Sequence, residues 1–171
     1  MQELNRLSVI QYKESQKAPV VIVLDNIRSR HNIGSVFRTA DAFRLQAIHL
    51  CGITATPPHR DIQKTALGAT ESVDWIYFPS TFESLNRLRR EGYLVIAIEQ
   101  THASITLDQF TPQAGSKFAL VFGNEIHGID DPILDYSDQC IIIPQYGTKH
   151  SLNIAVAVGI VVWELFKKTS A

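Results

Sequence analysis

A chain of 171 residues with 45% hydrophobic and 19% charged residues is long enough to bury a core without help from disulfides or metal. That balance excludes disordered and fibrous classes and predicts one compact domain, residues 1–171, with 1–18 as an N-terminal extension. A formal net charge of −1 excludes a globally basic nucleic-acid binder, and two cysteines exclude a disulfide framework.

The extension carries charges throughout and lacks the apolar core and small-residue cleavage site of a secretory signal, so a cytoplasmic protein is expected. After it, apolar runs rich in β-branched residues predict strands at 19–25 (PVVIVLD), 47–52, 75–78, 93–99, 118–123 and 140–144. Helical periods predict helices near 32–44, 61–68, 80–91, 130–136 and 151–168. This alternation predicts an α/β fold, a mostly parallel sheet flanked by helices. Cys51 and Cys140 fall inside predicted strands and read as buried structural residues. The stretch 101–117 is the longest connection without a period and reads as a surface crossover. The last helix is apolar on nearly every face from Ile154 to Trp163, yet too short for a bilayer span of about 20 apolar residues. It belongs in a core or a subunit interface, which points to a homodimer and to no membrane.

Ligands of an open parallel sheet bind beyond the carboxyl ends of its strands. Three such ends lead into polar, glycine-containing segments: LDNIRSRHNIGSVFR, VFGNEIHGID and IIIPQYGTKHSLN. In the first, Ile33, Val36, Phe37, Ala40 and Phe43 form a core stripe, and Asn32 is placed to cap the helix. Gly34 and Arg38, four residues apart, share another face, so the absent Cβ of Gly34 is expected to leave room for the Arg38 guanidinium. In the second, Gly123 and Gly128 permit close backbone approach around Glu125. In the third, Pro144 ends a strand, Gly147 turns the chain, and Ser151 and Asn153 stand at a helix mouth, with Ser151 the expected cap.

Several chemistries lack their signatures. No Lys and Ser or Thr follow Gly128, so the second loop is not a Walker phosphate loop, and no G-x-G-x-x-G occurs. The six histidines show no metal-ligand spacing, and Ser151 lacks a G-x-S-x-G context.

The ordered set N-x-G-x-x-x-R (Asn32 to Arg38), G-x-E-x-x-G (Gly123 to Gly128) and P-x-x-G-x-x-x-S-L-N (Pro144 to Asn153) resembles the three signature motifs of the SpoU (TrmH-type) RNA ribose 2′-O-methyltransferases of the SPOUT superfamily, over about residues 20–168. The resemblance implies an α/β domain with a C-terminal deep trefoil knot, a homodimer, and S-adenosyl-L-methionine as cofactor. It implies cofactor contacts at Gly123, Ile143 and Leu152, with Ile98 and Glu99 as further candidates. It assigns the catalytic set to Arg38, Asn32, Glu125, Ser151 and Asn153, acting on transfer or ribosomal RNA without a metal. In such a site Arg38 either takes the 2′-hydroxyl proton or binds phosphate and orients the hydroxyl; an arginine pKa above about 12 weighs against the first role. Arg28, Arg30, His31, Arg44, Lys149 and His150 would supply a local basic rim. Ala155 departs from the serine common at that place in the family. The competing readings are an inactive RNA- or nucleotide-binding member of the same fold and a generic doubly wound nucleotide-binding enzyme.

Overall fold

In a computed structural model, which describes residues 7–148 and 151–169, the apolar runs become strands of one sheet. The strands are β1 (Ala18–Asp25), β2 (Leu45–Cys51), β3 (Trp75–Phe78), β4 (Tyr93–Ile98), β5 (Ile105–Thr106), β6 (Lys117–Phe122) and β7 (Gln139–Ile142). They lie in the order β3-β2-β1-β6-β4-β7-β5, and every pairing among them is parallel. The helices are α1 (Val9–Glu14), α2 (Arg30–Ala42), α3 (Arg60–Ala66), α4 (Ala69–Ser72), α5 (Thr81–Arg90), α6 (Asp131–Tyr136) and α7 (Ile154–Thr169).

Strand side chains alternate between faces, so β1 feeds two cores. Val20, Ile22 and Leu24 pack with Ile33, Val36 and Phe37 of α2 and with Val158 and Val161 of α7. Val21 and Val23 pack on the other face with Leu85 and Leu88 of α5 and Ile133 of α6. Burial of the central strands on both faces explains their continuous rather than alternating apolar runs. Within the extension, Ser8 and Gln11 form a capping box that starts α1, and the buried Tyr12 hydroxyl donates to the Ala40 carbonyl at 3.3 Å.

Two sequence expectations change here. Gly34 does not clear room for Arg38, because a Cβ at Gly34 would stand 2.3 Å from the Ile62 carbonyl oxygen and 2.1 Å from Thr65 Oγ1. Its missing side chain lets α2 lie directly against α3, and the space is filled by backbone. The 101–117 stretch is also more than a surface crossover. It contains β5, paired to β7, and buries Leu107 and Phe110 in the core. Lys168 of α7 fastens it by donating to the carbonyls of Leu107, Asp108 and Phe110 at 2.9, 2.8 and 2.8 Å. Tertiary contacts of this kind leave no helical or strand period to read.

Among the described residues, no helix is long and apolar enough to cross a membrane. The face of α7 away from the core carries Val156, Ile160, Trp163 and Phe166, each between 37% and 53% exposed. Spacings of four, three and three residues align them on one side of the helix.

Candidate active site

Chain direction across the sheet reverses at the β1 and β6 pair: β2 and β3 extend one way from β1, whereas β4, β7 and β5 lie beyond β6. The loops leaving β1 and β6 therefore diverge and open a crevice. Glu125, from the loop after β6, bridges it. Its Oε2 accepts from the Arg28 N–H and its Oε1 from the Ser29 N–H, both at 3.1 Å. Burial pushes this carboxyl up, but the backbone N–H groups of Arg28, Glu125 and Ser29 and the Asn32 side chain outweigh it, and the group ends below its ordinary range. Glu125 thus remains a carboxylate at neutral pH and ties the first motif to the second.

The third motif joins through Asn153, whose Nδ2 donates to Asn32 Oδ1 at 3.1 Å. Asn153 also caps α7, its Oδ1 accepting from the Ala155 N–H at 2.9 Å. Both caps differ from expectation by position. α7 is capped by Asn153 rather than Ser151, and α2 begins two residues earlier than predicted because Ser29, in an extended conformation, accepts the Asn32 N–H at 3.3 Å. Asn32 is thereby inside the first turn, and its side chain faces its partners in the other two motifs.

The loop after β6 is closed on itself. Asn124 and Gly128 exchange backbone hydrogen bonds at 3.0 and 2.9 Å, and Asn124 Oδ1 accepts from the N–H groups of Ile126 and His127. Asn124 Nδ2 donates to the Asn26 carbonyl at 2.7 Å, anchoring the loop to the end of β1. Both glycines of the motif are required by contact. A Cβ at Gly123 would lie 2.4 Å from the Gly128 carbonyl carbon, and Gly128, at φ +70°, would direct one to 2.5 Å from Glu99 Oε2. The Glu99 carboxylate accepts from the Ile129 N–H at 3.2 Å and the Gln100 N–H at 2.9 Å, so it clasps this loop as well as facing the crevice.

These loops enclose a cavity of about 750 Å³ at the carboxyl ends of β4, β6 and β7. Its wall includes all five residues expected to meet a cofactor, Ile98, Glu99, Gly123, Ile143 and Leu152. Four of the five expected catalytic residues, Asn32, Glu125, Ser151 and Asn153, line it too. Arg38 does not. It is exposed on α2, six residues past Asn32, which is about 9 Å along a helix axis. Arg28, Arg30, His31 and Arg44 are exposed as well, whereas Lys149 and His150 lie outside the described residues.

The sequence reading missed Asn124, Asp131 and Gln145, of which Asn124 shapes the site and the other two line it. Only Asn124 had a usable signal, since asparagine beside glycine commonly bonds the backbone two residues on. Among the described residues, no three His, Cys, Asp or Glu side chains gather as metal ligands would.

A sequence model of the SpoU rRNA Methylase family matches residues 19–163. A protein of Staphylococcus aureus (strain MSSA476) named as a TrmH family tRNA/rRNA methyltransferase is 30% identical over 158 residues, 92% of this chain and 62% of its own length. The Haemophilus ducreyi 23S rRNA (guanosine-2′-O-)-methyltransferase RlmB is 28% identical over 166 residues, 97% of this chain and 67% of that protein. The AdoMet-bound rRNA methyltransferase structure from Sinorhizobium meliloti superposes with a TM-score of 0.82 at 26% identity, over 89% of this chain and 57% of that one. The chain therefore spans about three-fifths of the length of the first of these relatives.

Proposed function

Since this chain belongs to the SpoU rRNA Methylase family, we propose that it transfers a methyl group from S-adenosyl-L-methionine to a ribose 2′-hydroxyl of transfer or ribosomal RNA. The observation that carries the reading is the meeting of three distant segments at one cavity, through the Asn153 to Asn32 bond of 3.1 Å and the Glu125 bridge to Arg28 and Ser29. RNA methyltransferase relatives and an AdoMet-bound neighbour support the same chemistry.

The cavity suits the cofactor. Its volume falls in the ordinary range of small-molecule sites. Ile98, Leu134 and Leu152 offer apolar wall for a purine, and Glu99 and Asp131 offer negative charge toward a cationic ligand. Gly123, Ile143 and Leu152 would hold the cofactor largely through backbone groups. When bound, it supplies an electrophilic methyl on a positively charged sulfur, so the transfer needs no metal.

The chain's task is to present the hydroxyl and remove its proton as the oxygen is methylated. Asn32, Ser151 and Asn153 stand at the cavity wall with the donors and acceptors to orient a ribose. Arg38 binds the phosphate beside that ribose and orients the 2′-hydroxyl, with charge-assisted bonds suited to the task. Its distance from the cavity is met by a homodimer. α2 and α7 run side by side, Asn32 opposite Asn153 at one end and Phe43 against Phe166 at 5.5 Å between ring centroids at the other. Pairing two copies through Val156, Ile160 and Trp163 of α7 carries Arg38 of one copy toward the cavity of its partner. The exposed Arg28, Arg30, His31 and Arg44 form the RNA-facing rim.

A trefoil knot belongs to the same reading. β7, the last strand in the chain, lies between β4 and β5, which are joined directly by residues 99–104. A knotted chain would pass the segment between β7 and α7 beneath that connection.

The test is mass mapping of RNA from a strain lacking the gene, complemented with the natural protein or Arg38→Ala. One 2′-O-methyl mark should vanish on deletion, return with the natural protein, and stay absent with the variant. An unchanged map on deletion refutes the activity, and restoration by Arg38→Ala refutes the role of Arg38.

A further inference from the structure

Tyr146 is 97% exposed, the highest value of any large apolar side chain among the described residues. A bare aromatic ring offers a flat face that can stack on another ring, with a polar tip left in water. Its place in the chain is specific. It follows Gln145, which lines the cavity, and Ile143, one of the residues expected to touch the cofactor. Half-buried Pro144 between them fixes one backbone dihedral at the root of the loop. Among the described residues, no atom would lie within 4 Å of a Cβ at Gly147, the next residue. The cavity wall also carries exposed Ile126 and His127 and the amide side chains of Asn32, Asn153 and Gln145.

From this arrangement we infer that Tyr146 is the stacking platform for the base of the nucleotide whose ribose enters the cavity. The inference rests on the methyl-transfer reading above. A ribose held at the cavity wall projects its base outward across the rim, and single-stranded RNA is commonly bound by stacking unpaired bases on aromatic rings. Every base has a π-face, so stacking holds the nucleotide without choosing its identity. The residue is therefore a positioning contact for the substrate, one that holds a base without reading it.

Tyr146→Ala and Tyr146→Phe in the full chain test this. The probe is total RNA from a strain lacking the gene, measured by filter binding and by transfer of labelled methyl, with S-adenosylhomocysteine affinity and sedimentation as companions. Tyr146→Ala should weaken RNA binding and raise the half-saturating RNA concentration about tenfold. Tyr146→Phe should stay within about twofold of the natural protein, since the ring and not the hydroxyl makes the contact. S-adenosylhomocysteine affinity should not move. RNA affinity unchanged in Tyr146→Ala overturns the inference whatever the activity. Dissociation of a dimer by Tyr146→Ala also overturns it, because the ring then belongs to a subunit interface. Binding that depends on Tyr146 in a protein that transfers no methyl overturns the methyl-transfer reading and leaves the platform standing.

Discussion

His49 and Gly34 act through close contact with buried neighbours, and each gives a measurable consequence. The His49 imidazole lies in the core beneath the sheet, its Nδ1 2.7 Å from Ser84 Oγ. Burial, with the Arg87 charge assisting and Glu91 opposing, pushes it down from 6.5 to about 4. Between those values the unfolded chain takes up a proton that the folded protein refuses, so stability rises with pH across that window and falls as the medium is acidified. Urea denaturation from pH 7 to 4 should show this decline, and His49→Gln should flatten it. A profile of the same slope in the variant would place the titration elsewhere. For Gly34, substitution by Ala forces a Cβ to 2.3 Å from the Ile62 carbonyl oxygen, so α3 must shift. Overpacking of this kind costs about 1–3 kcal/mol, which denaturation midpoints of Gly34→Ala should register. Of these two residues the sequence marked only Gly34 as special, and it supported the wrong reason. Residue spacing gives the face of a helix but not the neighbour that covers it.

α7 is the element whose two faces most need explaining. Ile154, Val158, Val161, Val162 and Leu165 are buried in the core, while Val156, Ile160, Trp163 and Phe166 are left in solvent. The sequence showed that the helix is apolar all round and so must be covered on several sides. The structure separates the side covered by its own chain from the side left exposed, the one the proposed homodimer would use. Ile160→Glu places a charge in the middle of the open stripe without touching the packed one. If the proposed homodimer pairs through this stripe, the variant should sediment at half the mass of the natural protein with unaltered circular dichroism; equal masses would overturn the pairing through α7. The boundaries of α2 and α7 shifted by two or three residues because Ser29 and Asn153, rather than the residues expected, supply the capping oxygens. Several Ser and Asn side chains near each start could serve, and the choice depends on which is extended when the helix docks.

At the scale of the molecule, the cavity exists only where the ends of β4, β6 and β7 come together. A ligand that fills it joins segments whose contact is lost on unfolding and therefore stabilises the fold. S-adenosylhomocysteine at a hundred times its Kd should add about 2.7 kcal/mol of apparent stability, visible as a raised Tm. NAD should leave the Tm unchanged, and a shift with NAD alone would favour the generic nucleotide-binding reading. The sequence by itself determined the parallel α/β class, the approximate strands and helices, and the three motif loops, because these rest on local period, turn residues and short spacings. Only the tertiary structure decided that Glu125 holds the backbone of Arg28 and Ser29 across 97 and 96 residues, that Asn153 meets Asn32 across 121, and that Arg38 stands apart from the cavity. The physical reason is that such contacts follow from strand order and helix packing, in which the free energy of burial is shared among residues far apart in the chain and leaves no periodic trace.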